Sequence, residues 1–241
     1  IDLSQIEGKI VAVDDEQENK DKLDENKLIV CLDAGHGGKD NGSDYRLRYE
    51  KNDNLKITQA VAAYLADKEN IQVIMTRSDD TFLSLEERTS FANQNNADYF
   101  VSLHRNTGEG NGVETWIRSD ADDKTQALAK NIMDNLDAAG ISRNRGVKKG
   151  TQKSESKDYY VNLHTNMPAC IVELGFMNSP TDNQLFDANI DSYAKAIGAA
   201  VLKTYESYGK DGADATESVE DVPGTEEQIS TETGEGTTGQ V

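Results

Sequence analysis

The run Lys27-Leu28-Ile29-Val30-Cys31-Leu32 leads directly into Asp33-Ala34-Gly35-His36-Gly37-Gly38. Its first half shows no apolar/polar alternation, the mark of a strand covered on both faces. Its second half is a loop of small residues around one imidazole. Similar apolar runs follow at Ile71-Gln72-Val73-Ile74-Met75-Thr76, Asp98-Tyr99-Phe100-Val101-Ser102-Leu103 and Ala169-Cys170-Ile171-Val172. Val113 to Ile117 reads as a further strand and Tyr159-Tyr160-Val161 as a short one.

Helical patterns separate these runs. Leu55, Thr58, Val61/Ala62 and Leu65 share a helical stripe behind a polar Asn52-Asp53-Asn54 start. Ser84-Leu85-Glu86-Glu87 is a capping box opening a helix through Phe91 and Ala92. Leu128, Ile132 and Leu136 mark a helix ended by Gly140, and Ile190 to Tyr208 carries a last one ended by Gly209. Strands alternating with helices predict an α/β fold: a single three-layer domain with a mostly parallel or mixed sheet and helices on both faces. No repeat is present.

The chain has 241 residues and a formal net charge of −19. Residues 211–241 hold nine acids and no lysine or arginine, and residues 1–27 hold nine acids against four lysines, which leaves −5 for residues 28–210. The expected organisation is an acidic leader or linker at 1–27, a catalytic domain at 28–209, and an acidic disordered tail or linker at 210–241. This balance speaks against a nucleic-acid partner, and no run is long and apolar enough for a membrane span. Two cysteines make no disulfide framework.

Three histidines occur, and two of them, His36 and His104, follow buried strands. Imidazoles emerging at neighbouring strand ends can converge on a metal such as zinc. Glu50 and His164 are both candidates for a third ligand. Glu173 ends the apolar run Cys170-Ile171-Val172, where a carboxylate is costly unless it is paired or functional; the pairing alternatives are Arg77 and Arg88. The glycine loop satisfies neither a P-loop, since Asp40 follows Lys39, nor a dinucleotide loop, since Asp40 stands where the third glycine belongs. Cys31 and Cys170 sit inside apolar runs, where a thiol is usually inert packing.

Five segments then fall in order: Asp33-Ala34-Gly35-His36-Gly37-Gly38; Glu50-Lys51; Ser102-Leu103-His104-Arg105-Asn106; Gly112-Val113-Glu114-Thr115; and Met167-Pro168-Ala169-Cys170-Ile171-Val172-Glu173-Leu174-Gly175-Phe176. Together they resemble the zinc-dependent N-acetylmuramoyl-L-alanine amidases of bacterial cell-wall hydrolases, the type 3 amidase domain, over residues 28–208. The resemblance implies one zinc held by His36, Glu50 and His104, with Glu173 catalytic. It implies hydrolysis of the amide between N-acetylmuramic acid and L-alanine, peptidoglycan as partner, an extracytoplasmic location (secreted or cell-wall associated) and a monomer. The alternative is a non-catalytic wall-binding or regulatory homologue.

Two positions depart from the family's pattern. Arg105 replaces a small residue, and Leu163 stands where a basic one is frequent. Arg105 and Asn106 are the expected substrate contacts. No segment between Glu114 and Glu173 is long enough for an inhibitory insertion, so an open site is expected.

Overall fold

The computed structural model describes residues 10–12, 23–24, 26–152 and 156–210. Among the described residues, nine strands and five helices follow in chain order: β1 (Ile10–Ala12), β2 (Leu28–Ala34), β3 (Asp44–Tyr45), β4 (Arg48–Tyr49), α1 (Glu50–Ala66), β5 (Ile71–Met75), α2 (Leu85–Gln94), β6 (Tyr99–Asn106), β7 (Val113–Ile117), α3 (Asp123–Ala138), β8 (Asn144–Lys149), α4 (Tyr160–His164), β9 (Ala169–Phe176) and α5 (Pro180–Tyr208). Seven strands form one sheet in the order β1-β5-β2-β6-β9-β7-β8, and β3 and β4 make a small hairpin. All neighbours in the large sheet run parallel except β7 against β9. The expected mixed, three-layer α/β domain is what is found.

Strand alternation sorts the core into two faces. Leu28, Val30, Leu32, Val101, Leu103, Cys170 and Val172 pack under α1, α3 and α5, while Ile29, Cys31, Phe100, Trp116 and Ile171 pack under α2 and α4. The central strands β2, β6 and β9 are therefore apolar on both sides until they reach their carboxyl ends. There the second face turns polar: Asp33, His104 and Glu173 all point to the side of α2 and α4. Sites of open α/β sheets form at such strand ends.

Several boundaries differ from the expectations. Tyr159–Val161 is not a strand: α4 starts at Tyr160, buries Val161 and Asn162, and is held by Asn162 Nδ2 donating to Trp116 O at 3.0 Å. Strand propensity of the Tyr-Tyr-Val run yields here to a local side-chain anchor. β8 is polar and half-exposed along an edge, so no apolar pattern announces it. α1 begins at Glu50, two residues ahead of Asn52, with no side-chain cap. α5 begins at Pro180, capped by Ser179, and breaks at Asn189. The sheet also takes Ile10–Ala12 as an edge strand, so a boundary at residue 28 leaves out one strand. The rest of the expected leader, apart from residues 23–24 and 26–27, and residues 211–241 of the expected tail lie outside the described residues. Among the described residues, no helix is long and apolar enough to cross a membrane.

Candidate metal centre and active site

The loop after β2 is shaped by two buried arginines. Arg88 Nη1 meets Asp33 Oδ1 at 2.6 Å and Ala34 O at 2.8 Å, and its Nη2 reaches His36 O at 2.7 Å. Arg77 donates to Ala34 O and to Gly35 O, each at 2.9 Å. Thr76 and Ser102 hydroxyls complete the shell of Asp33, each at 2.6 Å. Burial works against ionised Asp33, but Arg88 and these donors outweigh it and hold its pKa at about 2. The carbonyls of residues 34–36 are thus turned inward, and His36 takes a left-handed backbone with φ of 62°. Neither arginine reaches Glu173, which removes the ion-pair alternatives for that carboxylate.

Three donors converge beside this loop. His104 Nδ1 lies 3.0 Å and His36 Nε2 3.3 Å from the same oxygen, Oε1 of Glu50. One potential ligand atom from each of the three residues falls within 4.8 Å of the others. Behind them, His36 Nδ1 is 2.7 Å from Asp40 Oδ2, the carboxylate–imidazole arrangement that orients a metal-binding histidine. Glu50 Oε2 accepts from the Ser43 amide at 2.9 Å, and its Oε1 from the Arg105 amide at 3.1 Å. A side chain on Gly35 would overlap the His104 ring, lying 2.6 Å from Nδ1 and closer still to Cε1 and Nε2. Burial disfavours protonated His36, yet Glu50 and Asp40 prevail and raise its pKa to about 9. The same field draws a divalent cation, and the N, O, N donor set suits zinc. Among the described residues this is the one metal-competent cluster, and His164 is not part of it.

Glu173 stands next to His104 in the β6–β9 register and opposite Glu114 in the β7–β9 register. Its Oε2 is buried and has no hydrogen-bond partner. Burial first, then the charges of Glu50 and Glu114, push its pKa to about 7 against the pull of the two histidines. A carboxylate poised near neutrality beside a metal cradle is equipped for proton transfer.

A family model described as N-acetylmuramoyl-L-alanine amidase matches residues 30–203. The chain belongs to this amidase family. It is similar to an uncharacterized protein, YqiI, of Bacillus subtilis strain 168, with 35% identity over 74% of this chain and 84% of the relative. It is also similar to a sporulation-specific N-acetylmuramoyl-L-alanine amidase of the same organism, with 31% identity over 64% of this chain and 58% of that one. The crystal structure of an N-acetylmuramoyl-L-alanine amidase from Clostridium difficile 630 superposes with a TM-score of 0.70 at 34% identity, covering 76% of this chain and 100% of that chain. The activity of the family is hydrolysis of the muramoyl–L-alanine amide of peptidoglycan, and this chain is an amidase of that kind.

The side chain of Arg105, an expected substrate contact, is buried and paired inside this amidase. Neighbouring residues of a strand point to opposite faces, so a groove-facing His104 sends Arg105 to the far side. There its side chain is fully buried, with Nη1 2.6 Å from Asp53 Oδ2, Nη2 2.7 Å from Asn183 Oδ1, and the guanidinium 4.4 Å above the Phe186 ring. Asn106 does lie on the groove side, but its Nδ2 is committed to Glu114 Oε1 at 3.0 Å. Both cysteines are buried, and burial lifts the thiol of Cys170 to about 12 and that of Cys31 well above its usual range, which excludes a cysteine nucleophile.

The centre opens into a groove of about 830 Å³ between the start of α2 and α4. Sequence reasoning assigned no role to Asp40, to Glu114 or to the groove walls. Asp40 stands four residues after His36, and Glu114 belongs to one of the matched segments, so both signals were present. Gln152, whose Nε2 donates to Glu114 Oε1 at 3.1 Å, had none.

Proposed function

We propose that the amidase holds one zinc ion through His36, Glu50 and His104 and that Glu173 is its general base. The observation carrying this reading is the convergence of two imidazoles on one Glu50 oxygen, with Asp40 behind and an unpartnered Glu173 oxygen beside it. When bound, zinc supplies Lewis acidity toward a water and toward the amide carbonyl. Glu173 Oε2 takes the proton from the attacking water and hands it to the alanine nitrogen as that amine leaves. Asp40 keeps the His36 ring oriented, and the Arg77 and Arg88 contacts hold the loop that carries it. Because peptidoglycan lies outside the cytoplasmic membrane, an extracytoplasmic site of action follows.

The test is to incubate the protein with purified peptidoglycan and quantify new alanine amino termini, with chelator, and with zinc restored. Release that stops on chelation and returns with zinc supports the assignment. Release indifferent to chelation overturns the metal part, and no release at all leaves a wall-binding domain without catalysis.

A further inference from the structure

Asn54 is fully buried, one turn of α1 after Glu50. Its Nδ2 donates to Glu50 Oε1 and to Gly35 O, each at 3.2 Å. One side-chain amide therefore bridges a candidate metal ligand and the residue that precedes another, His36. The amide can face only one way, because turned over its oxygen would meet a carboxylate and a carbonyl, neither of which donates. In the orientation it takes, Oδ1 is buried and has no hydrogen-bond partner. A fold that strands one end of a buried amide to bring the other end onto Glu50 gives up stability for that contact.

The contact falls on a particular oxygen. Oε1 is the atom both imidazoles face, His104 Nδ1 at 3.0 Å and His36 Nε2 at 3.3 Å, and the Arg105 amide reaches it at 3.1 Å. Oε2 is turned into the loop before β3. There the Ser43 amide donates to it at 2.9 Å, and a side chain on Gly42 would lie 2.7 Å from it. Ser43, Asn54 and Arg105 thus fix the rotation of the carboxylate from three separate segments, and Asn54 supplies the one side chain among these donors. It is also uncharged. A lysine or arginine there would neutralise the ligand and compete with a cation for it, whereas an amide holds the oxygen and leaves its charge intact.

We propose that Asn54 is a positioning residue of the metal centre. It holds Glu50 Oε1 toward the two imidazoles and ties Glu50 to the loop that carries His36, so the cradle is set before a metal arrives. The inference rests on His36, Glu50 and His104 being the metal ligands, and Asn54 acts through Glu50 alone.

The test compares the parent protein with Asn54→Leu, which is close in volume and lacks a donor, and with Asn54→Ala. Zinc affinity is measured by competition with a coloured chelator, and thermal melts are recorded on the metal-free proteins. Gly35 O keeps Arg77 Nη2 at 2.9 Å and Glu50 Oε1 keeps the Arg105 amide, so neither substitution strands a buried acceptor. Metal-free Asn54→Leu should therefore melt near the parent temperature. Zinc affinity should fall by about 10–100-fold in both variants, the usual loss for an outer-shell partner. Thr58→Val is the control, since the Thr58 hydroxyl bonds the Asn54 carbonyl at 2.6 Å in the same helix and reaches no ligand; it should keep the parent affinity. Parent-like affinity in either folded Asn54 variant overturns the proposal, as does an equal loss in Thr58→Val. Failure of both Asn54 variants to fold makes the residue structural and overturns it too. A parent protein that takes up no zinc overturns the metal reading itself, and this inference with it.

Discussion

Glu114 and Glu173 face each other across β7 and β9, two carboxylates in one register pair with opposite surroundings. Glu114 accepts from Asn106 and Trp116 at 3.0 Å, from Gln152 at 3.1 Å and from Arg145 at 2.7 Å. Glu173 Oε2 accepts from nothing. An unsatisfied buried oxygen costs about 1–3 kcal/mol, so a fold that supplies four donors to one carboxylate and withholds them from its neighbour keeps the second one free for chemistry. The satisfied partner also contributes its charge, which disfavours ionisation of Glu173.

Glu173→Gln preserves the shape of that side chain and removes its basicity. Turnover on peptidoglycan should fall by about 10²–10⁴, the range for a lost general base, while bound zinc equals that of the parent protein. Amine release and metal analysis on the same preparation check both halves. A variant that keeps most of its turnover would remove Glu173 from the mechanism.

Stability of the metal-free protein should fall as pH rises from about 5 to 9. For Glu173 the folded pKa of about 7 exceeds the ordinary 4.5, so the native state holds the extra proton between those values and that preference is gone above 7. For His36 the folded pKa of about 9 exceeds 6.5, so its contribution is complete below 6.5 and lost through 9. Asp33 has the opposite sign, adding stability above 3.8 that is lost as pH falls through about 2. Zinc binding requires unprotonated imidazoles, so zinc should raise Tm more at pH 9 than at pH 5. Thermal melts with chelator and with zinc across this range decide it; parallel curves would rule out protons and metal sharing these ligands.

How much of this was legible depended on how each residue meets the sheet. β2, β6 and β9 read plainly because both faces of each are covered, and His36, His104 and Glu173 were found as the polar residues that end them. Glu50 was harder. Its approach runs through β3 and β4, two residues each, so residue patterns left it level with His164 and the family resemblance chose between them. β8 was missed because an exposed edge strand needs no apolar stripe. The burial of Arg105 was legible too, because it follows His104 directly and strand alternation sends the two side chains to opposite faces.

Gly35→Ala tests the cradle without touching a ligand. The added methyl overlaps the His104 ring, whose Nδ1 is held by Glu50, so ring or loop must shift. A displaced ligand or outer-shell partner typically costs about 10–100-fold in metal affinity, and that loss is the expected result. Competition with a coloured chelator measures it. Unchanged affinity would mean that the loop relaxes freely, contrary to its anchoring by Arg77 and Arg88.

Arg105→Met separates packing from substrate recognition. Asp53 Oδ2 is shared between Arg105 Nη1 and Arg48 Nε, both at 2.6 Å, and Arg48 pairs onward with Asp187 at 2.7 Å. This chain of charges ties β6 to α1 and α5 behind the metal ligands. Removing one partner of a buried pair costs about 3–5 kcal/mol. Asp53 keeps Arg48, and methionine keeps an apolar stem over the Phe186 ring, so a loss of about 3 kcal/mol, the low end of that range, is expected. The urea midpoint should drop accordingly, while kcat/KM per folded molecule stays near the parent value. A substrate contact would give the reverse, a raised KM at unchanged stability, because a side chain that touches only substrate holds nothing together in the free enzyme.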